Sequence, residues 1–359
     1  MFIKISLVVA VLSFLTVGYY IISNKPQSDL SIDSQTNSSS IFSNVPNEQI
    51  PTKLSIEYLR TQKFDSVAPT ITEQLAQGTN YNRYIATYTS EGLKINGLLT
   101  VPLGDIPEGG YSAIIFNHGY IPPNQYSTTE KYLAYIDYLA RNGFVVFKID
   151  MRGHGNSEGI PTGSYFSPSY TIDAISALKS LQKLDYVNPS KIGMWGHSMS
   201  GNLTLRAMLV EPDIKAGVIW GGAVYSYEDF AKYRISDNSF VRTPGTGSNN
   251  RSSIEPEYAS EVQKIRDDSK NVDFDSKFWK SISLTNNINY LSAPLQLHHS
   301  INDDVVDIGY SRDLADVLEA NSKNYELFEY SGGGHNINSP YFEQAMLRTV
   351  EFFKENLNN

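Results

Sequence analysis

The chain has 359 residues, a formal net charge of −9 and no cysteine. An acidic chain without a dense basic cluster is not typical of proteins that bind nucleic-acid phosphates, so no nucleic-acid partner is expected. The lack of cysteine excludes disulfides, a thiolate nucleophile and a cysteine-ligated metal site. The length and the 41% content of hydrophobic residues suit one large globular domain with short additions.

The amino-terminal segment is predicted to be a membrane anchor. An apolar stretch runs from Ile5 to Ile22 and is close to the minimum length that spans a bilayer. It lacks the small-residue cleavage site of a secretory signal, and Tyr19 and Tyr20 at its far end are typical of interfacial aromatic residues. We therefore predict an uncleaved signal anchor over residues 1–23, with a cleaved signal peptide as the alternative. The rest of the chain is then expected outside the cytoplasm.

Residues 24–50 are rich in Ser, Asn and Gln and lack aliphatic periodicity, which predicts a flexible linker. The folded domain is expected over residues 51–359. Its first elements are a short helix in "TKLSIEYLRTQKF" and a β-hairpin whose strands alternate on either side of "SEG" at residues 90–92.

Strands and helices alternate after the hairpin. Apolar runs such as "FVVFKID" and "KIGMWG" are followed by segments with helical spacing such as "TIDAISALKSLQKL" and "SGNLTLRAMLV". This succession predicts an α/β fold in which a mostly parallel sheet carries helices on both faces. Active sites in such sheets lie at the carboxyl ends of the strands, so the turns that follow the strands are where chemistry is expected.

Residues 225–285 interrupt this alternation between two core strands. They mix aromatic and charged residues with a turn rich in Gly, Ser and Asn. We predict a helical insertion over the strand ends, a lid that lines a substrate pocket. The alternative is a surface excursion away from the site.

All histidines of the chain lie in or beside the turns that follow predicted strands. They are His118, His154, His197, His298, His299 and His335. In a chain with so few histidines, composition alone does not explain this clustering, which indicates a functional site.

Most of the reactive residues in these turns also have a structural explanation. We expect Arg152 and His154 to brace the turn in which they lie. His197, His298 and His299 are interpreted as packed residues beside the site. A metal site built from His298, His299 and nearby aspartates is an alternative, but it has no recognised ligand spacing.

Ser198 stands in "GMWGHSMSG", between a predicted strand and a predicted helix. A strand–serine–helix turn forces strained backbone angles that push the side chain outward, and small residues on both sides let the strand and helix approach. Gly196 fits this pattern, whereas the second small position holds Ser200, followed by Gly201. Because a hydroxyl needs an adjacent base to act as a nucleophile, the turn alone leaves a purely structural role open.

A base and an acid follow the serine in the order expected for this architecture. His335 lies in the glycine-rich turn "GGGHNI", whose glycines let a loop bring the imidazole over the serine. Asp303 lies in the loop after a predicted strand, where its carboxylate would accept the Nδ1 proton of His335 and fix its tautomer. Asp304 and then Asp307 are the alternatives for this acid. The sequence therefore predicts that Ser198, His335 and Asp303 form a catalytic triad.

Acyl transfer also needs two preorganised N–H donors for the developing oxyanion. We expect one from the amide of Met199, directly after the serine. The other is expected from Tyr120, in the turn after "IIFNHG", a loop that His118 orders through hydrogen bonds.

Together these motifs resemble the prolyl oligopeptidase-type, S9-like serine hydrolases of the α/β-hydrolase superfamily. The matching segments are "YTSEGLKINGLLTVP", "FNHGYIPP", "DMRGHGNSEG", "KIGMWGHSMSGNLTLRAM" and "SGGGHNI", and the resemblance covers roughly residues 80–355. It implies an eight-stranded, mostly parallel sheet, an acyl-enzyme mechanism and no cofactor. It also implies Ser198 as nucleophile, Asp303 as the orienting acid and His335 as general base.

Two features depart from that family. Only about 30 residues separate the predicted linker from the hydrolase core, too few for the β-propeller of prolyl oligopeptidases, and Ser200 replaces the usual glycine. A peptidase that cleaves short peptides or amides is the first functional hypothesis. A carboxylesterase or acyl esterase with the same triad is the second, and a non-catalytic binding module on a hydrolase fold is the third.

Overall fold

The computed structural model describes residues 52–236 and 256–357, and in them nine strands form one sheet. The strands are β1 Thr70–Leu75, β2 Tyr81–Ser90, β3 Leu93–Pro102, β4 Tyr111–Asn117, β5 Val145–Ile149, β6 Val187–His197, β7 Gly217–Trp220, β8 Leu295–Ser300 and β9 Tyr325–Tyr330. The helices are α1 Ile56–Thr61, α2 Leu133–Arg141, α3 Ser169–Leu181, α4 Met199–Val210, α5 Asp229–Lys232, α6 Pro256–Asp268, α7 Lys277–Ile282, α8 Gly309–Ala320 and α9 Phe342–Leu357.

The sheet has the order β1-β2-β3-β5-β4-β6-β7-β8-β9. The neighbouring strands in β5-β4-β6-β7-β8-β9 all pair in parallel. At one edge of the sheet, β1 with β2, β2 with β3 and β3 with β5 pair antiparallel. The predicted mostly parallel sheet is confirmed, but it has nine strands among the described residues, so the expectation of eight was wrong. The unpredicted strand, β1, is exposed along almost its whole length and therefore lacks the inward–outward alternation that marks a half-buried strand.

Helices cover both faces of the sheet, as predicted. On one face α2 and α9 pack with Ile114 and Phe116 of β4. On the other face α1, α3, α4 and α8 pack with Ala113 and Ile115 of the same strand. Successive residues of a strand point to opposite faces, so a strand buried on both faces reads as a continuous apolar run.

The parallel strands bring four loops to one edge of the sheet. β4, β6, β8 and β9 all run in the same direction, so the loops that follow them meet at their carboxyl ends. These are the loops in which the sequence predicts the site.

The insertion at residues 225–285 forms helices in its described part, and its role as a lid stays a prediction. Trp279 and Ile282 of α7 are buried in the same core as Ile56 and Leu59 of α1. None of the described residues of the insertion lines the pocket at the strand ends. The described helices thus extend the core, because their apolar side chains pack against α1. Residues 237–255 lie outside the described residues.

The predicted anchor and linker, residues 1–50, also lie outside the described residues. Among the helices of residues 52–236 and 256–357, none combines the length and the apolar character needed to cross a bilayer.

Candidate active site

Ser198 joins β6 to α4 with φ 56° and ψ −123°, a strained conformation for a residue with a side chain. The turn closes only because its neighbours are small. A Cβ on Gly196 would lie 2.5 Å from the carbonyl oxygen of Ser200, and one on Gly201 would lie 2.6 Å from the Cα of Gly222. The sharp strand–serine–helix turn predicted from the sequence is therefore present.

Ser200, the departure from the usual glycine, has a partner of its own. Its Oγ donates a hydrogen bond of 2.5 Å to the carbonyl oxygen of His118, and both residues are buried. The extra hydroxyl therefore ties the start of α4 to the loop after β4. The His118 ring in turn donates through Nδ1 to the carbonyl of Gly119 at 2.7 Å, so His118 orders this loop as expected.

Replacing Ser200 with alanine is expected to lower the free energy of unfolding by about 1–3 kcal/mol, because the buried carbonyl of His118 loses its donor. Ser180→Ala is the matched control. Its hydroxyl is equally buried but has no hydrogen-bond partner among the described residues, so its removal should leave stability unchanged or slightly raised. Urea unfolding of the two variants measures the difference, and equal losses would contradict this role of Ser200.

Asp303 is the carboxylate that contacts His335. Its Oδ2 lies 2.8 Å from Nδ1 of His335 and 3.3 Å from Nε2 of His299. Its Oδ1 accepts the amide protons of Val305 and Val306 at 2.8 and 2.9 Å. Both oxygens are thus fixed, and one of them faces the imidazole.

The hydrogen bonds outweigh the effect of burial on this acid. Burial alone would raise the pKa of Asp303, but hydrogen bonds from His299 and His335 and from the amide of Val306 hold it well below its usual range. Asp303 is therefore a carboxylate at neutral pH and orients His335 with Nδ1 protonated.

The two alternative acids serve other contacts. Oδ1 of Asp307 accepts the amide proton of Gly309 at the start of α8, at 2.8 Å. Asp304 is held through its backbone carbonyl, which accepts from the guanidinium of Arg234. The same guanidinium donates to the carbonyl of Asp303 at 2.9 Å, so a residue of the insertion braces the loop that carries the acid.

The loop after β9 places His335 as its glycines predict. Gly334 has φ 61°, and its amide donates to the side chain of Asn302 in the acid loop at 3.1 Å. On the other side of His335, the carbonyl of Asn336 accepts a 2.9 Å hydrogen bond from the hydroxyl of Tyr135. The backbone on both sides of the imidazole is therefore held, on one side by the acid loop and on the other by α2.

A pocket of about 420 Å³ contains both Ser198 and His335. It is lined by Gly119, Tyr120, Ile121, Lys131, Tyr132, Tyr135, His197, Ser198, His335, Asn336 and Asn338. Its volume lies within the range of pockets that hold small ligands.

The structure places both predicted oxyanion donors near Ser198, one in the pocket lining and the other directly after the serine in the chain. Tyr120 is part of the pocket lining. Met199 is the first residue of α4, a position whose amide has no acceptor within the helix and lies at the positive end of the helix dipole.

The other histidines do not form a metal site. His298 and His299 are adjacent on β8, so their side chains point to opposite faces of the sheet. The ring of His298 bonds Tyr330 and Gln296 at 2.8 and 2.6 Å, whereas His299 faces Asp303. Within residues 52–236 and 256–357 no group of three His, Asp or Glu side chains is placed to hold a metal ion.

Arg152 and His154 brace the turn after β5. The guanidinium of Arg152 pairs with Asp173 through two hydrogen bonds of 2.7 and 3.0 Å. Nε2 of His154 lies 3.2 Å from the carbonyl of Ile121, in the loop after β4. Neither residue lines the pocket.

The structure brings to the site two tyrosines that the sequence did not single out, and it gives His299, expected beside the site, a direct contact there. Tyr132 and Tyr135 line the pocket from the start of α2, and His299 is a second partner of Asp303. No local signal distinguishes these two tyrosines from the other tyrosines of the chain, whose total is 24. Only the position of His299 at the end of a core strand pointed to the site.

Comparison with known proteins identifies the family of this chain. A family described as serine aminopeptidase, S33, matches residues 111–339. The probable dipeptidyl-aminopeptidase B of Coccidioides posadasii (strain C735) is 24% identical over 266 residues, which are 72% of this chain and 25% of that protein. The chain spans a quarter or less of the length of the first curated relatives that it matches.

Two solved structures show the same fold. The acylaminoacyl peptidase of Pyrococcus horikoshii superposes with a TM-score of 0.60 and 20% identity, over 78% of this chain and 42% of that chain. The acetyl xylan esterase from Paenibacillus sp. R4 superposes with a TM-score of 0.59 and 17% identity, over 82% of this chain and 91% of that chain. The family match covers more than half of the chain and the resemblance to S9-like hydrolases is confirmed. The chain is thus an α/β-hydrolase of the serine hydrolase type and belongs to the serine aminopeptidase S33 family.

Proposed function

We propose that Ser198, His335 and Asp303 form a catalytic triad that transfers an acyl group through an ester intermediate on Ser198. One observation carries this proposal. Nδ1 of His335 is bonded at 2.8 Å to a buried carboxylate, in a pocket that also contains a serine held at a strained turn. An imidazole oriented in this way presents Nε2 as the base.

The chemistry follows from these protonation states. Nε2 of His335 takes the proton of the Ser198 hydroxyl as Oγ attacks the substrate carbonyl, and a tetrahedral oxyanion forms. The imidazolium, stabilised by Asp303, then gives that proton to the departing amine or alcohol, and an acyl ester remains on Ser198. Water attacks the ester with His335 again as base, releases the acid and restores the serine.

The oxyanion is proposed to accept hydrogen bonds from the amides of Met199 and Tyr120. The position of Met199 at the start of α4 supports this role, since a helix N-terminus stabilises negative charge. The place of Tyr120 in the pocket lining supports the second donor.

The charges in the pocket favour a substrate whose acyl part carries no free amine. Among the described residues that line the pocket there is no Asp or Glu, and Lys131 is the only Lys or Arg. A substrate ammonium group that bound there would lose its hydration without gaining a carboxylate partner, which is unfavourable. We therefore propose a peptidase that acts on short peptides or amides with a blocked amino end.

A carboxylesterase is the second candidate. It is supported by the same lack of a carboxylate and by the extent of the structural match, which covers 91% of the acetyl xylan esterase but 42% of the acylaminoacyl peptidase. Hydrolysis of an ester requires no group that binds a substrate amine, and it releases an alcohol, which leaves more readily than an amine.

Reaction with a fluorophosphonate probe tests the triad. The probe phosphonylates a serine only when a neighbouring base activates it, so we expect one adduct, which peptide mass spectrometry places on Ser198. An unlabelled protein, or an adduct on another serine, would contradict the proposal.

A substrate panel tests the acyl preference. We expect acetyl-alanine p-nitroanilide to be hydrolysed with a kcat/KM about tenfold or more above that of alanine p-nitroanilide, because only the latter brings an unpaired ammonium group into the pocket. p-Nitrophenyl acetate, butyrate and octanoate complete the panel. Hydrolysis of the esters alone would favour the second candidate, and preference for the free amine would contradict the argument from pocket charge.

A further inference from the structure

Tyr132 and His197 are two pocket residues that the proposed mechanism does not use. The hydroxyl of Tyr132 lies 2.9 Å from the amide nitrogen of Gly119 and 2.7 Å from Nδ1 of His197. Nε2 of His197 lies 3.0 Å from the backbone carbonyl oxygen of His335. These hydrogen bonds connect the loop after β4, the residue before the serine and the loop that carries the imidazole.

The direction of each hydrogen bond is fixed by the acceptors. A carbonyl oxygen only accepts, so Nε2 of His197 carries the proton that points at His335. Burial, together with the nearby charge of His335, lowers the pKa of His197 to about 3, so its ring is neutral and Nδ1 is an acceptor. Tyr132 therefore donates to Nδ1 of His197 and accepts from the amide of Gly119.

The backbone is strained to make these contacts. Tyr132 has φ 62° and ψ 19°, a left-handed conformation that side chains rarely adopt, at the start of α2. Gly119 is equally constrained, because a Cβ there would lie 2.8 Å from the hydroxyl of Tyr132 and 3.1 Å from the Cβ of Ser198. A left-handed backbone at Tyr132 on one side of the hydrogen bond, and space for glycine alone on the other, indicate that the contact serves the site.

We propose that Tyr132 and His197 are positioning residues, which act as one hydrogen-bonded chain from Gly119 to His335 and set the imidazole loop relative to Ser198. This inference rests on the proposed acyl transfer. The side chain of His335 is oriented by Asp303, and its backbone by His197, so two independent contacts fix the base. The neutral His197 also leaves His335 free to become the only imidazolium in the pocket, with the two ring centroids 4.6 Å apart.

Two isosteric replacements of His197 separate its hydrogen bond to His335 from its hydrogen bond to Tyr132. In His197→Gln the side-chain amide reaches the place of Nε2 and still donates to the carbonyl of His335. In His197→Asn the side-chain oxygen takes the place of Nδ1 and still accepts from Tyr132, but nothing reaches His335. Tyr132→Phe removes the phenol, and Tyr138→Phe, on the same helix but outside the pocket lining, is its control.

We expect the fluorophosphonate labelling rate to fall about 10- to 100-fold in His197→Asn and about tenfold in Tyr132→Phe, since a small misplacement of a catalytic group has effects of this size. His197→Gln should stay within about threefold of the wild-type rate and Tyr138→Phe should match it. The double variant Tyr132→Phe/His197→Asn should be no slower than His197→Asn alone, because both changes interrupt the same chain.

Rates within twofold of wild type in both Tyr132→Phe and His197→Asn would overturn the inference while the triad stands. Equal losses in the Gln and Asn variants, accompanied by equal losses of thermal stability, would reduce His197 to a structural residue and overturn it too. An unlabelled wild type would overturn the proposed function and this inference with it. Nitrogen-15 NMR of the wild-type imidazoles gives a readout independent of activity: His197 should remain the neutral Nε2–H tautomer from pH 5 to 9, and titration in that range would contradict the chain.

Discussion

Replacing Ser198 with alanine is expected to lower kcat by about 10⁵-fold or more. The variant lacks the hydroxyl that would form the acyl ester and give its proton to His335. Fluorophosphonate labelling should disappear with the activity. The fold should persist, since alanine is strained at φ 56° to the same degree as serine. Single-turnover kinetics on the best substrate of the panel measures the effect, and circular dichroism checks the fold.

Ser180→Ala is the matched control for this experiment. It removes a buried serine hydroxyl from α3, outside the pocket lining, and should leave kcat and labelling at the wild-type level. Residual turnover in Ser198→Ala of a tenth or more of the wild-type rate would mean that another group is the nucleophile.

Replacing Asp303 with asparagine is expected to lower kcat by about 10⁴-fold at neutral pH. The amides of Val305 and Val306 would bind the oxygen of the new amide, because only the oxygen accepts. The NH₂ group would then face His335, so Nδ1 of that ring would have to accept. The ring would carry its proton on Nε2, the wrong nitrogen for a base that must take a proton from Ser198.

Asp304→Asn is the control for Asp303→Asn. Its kcat should stay within about threefold of wild type, because among the described residues Asp304 makes its contact through the backbone carbonyl, which the substitution keeps. A comparable loss in both variants would contradict the choice of acid.

Stability gives a second readout for Asp303→Asn. The folded pKa of Asp303 is held below its unfolded value, so the carboxylate stabilises the fold above about pH 4 and loses this contribution as the pH falls through the folded pKa. The free energy of unfolding of Asp303→Asn should therefore be lower than that of wild type at pH 6, and the gap should narrow on acidification.

Strands whose apolar and polar residues alternate, and strands that are buried on both faces of the sheet, could be predicted from the sequence. β2 and β3 were predicted because their residues alternate around a turn at Glu91 and Gly92, both of which have positive φ. β1 could not be predicted in this way, because its "TITEQL" residues are exposed and their strand form depends on pairing with β2. The packing of the insertion could not be predicted either, because sequence position alone does not tell which surface Trp279 packs against.

The site was predictable where a residue type and its turn sufficed, as at Ser198 and His335. Tyr132 was not, because its proposed positioning role depends on a hydroxyl that meets His197 only in the folded chain. The alternative of a metal site that pairs His298 with His299 could have been set aside from the sequence. Adjacent residues of a strand point apart, so the period of the strand already excludes a shared ion.

The order of the loops along the chain has a consequence for biosynthesis. The proposed nucleophile Ser198 follows β6, whereas the proposed acid and base, Asp303 and His335, follow β8 and β9. A nascent polypeptide released from the ribosome only as far as β8 therefore presents the serine without its base. On the proposed mechanism, acylation also needs the loop after β9 in place, so the gain of probe reactivity during refolding reports on the assembly of this loop with the serine.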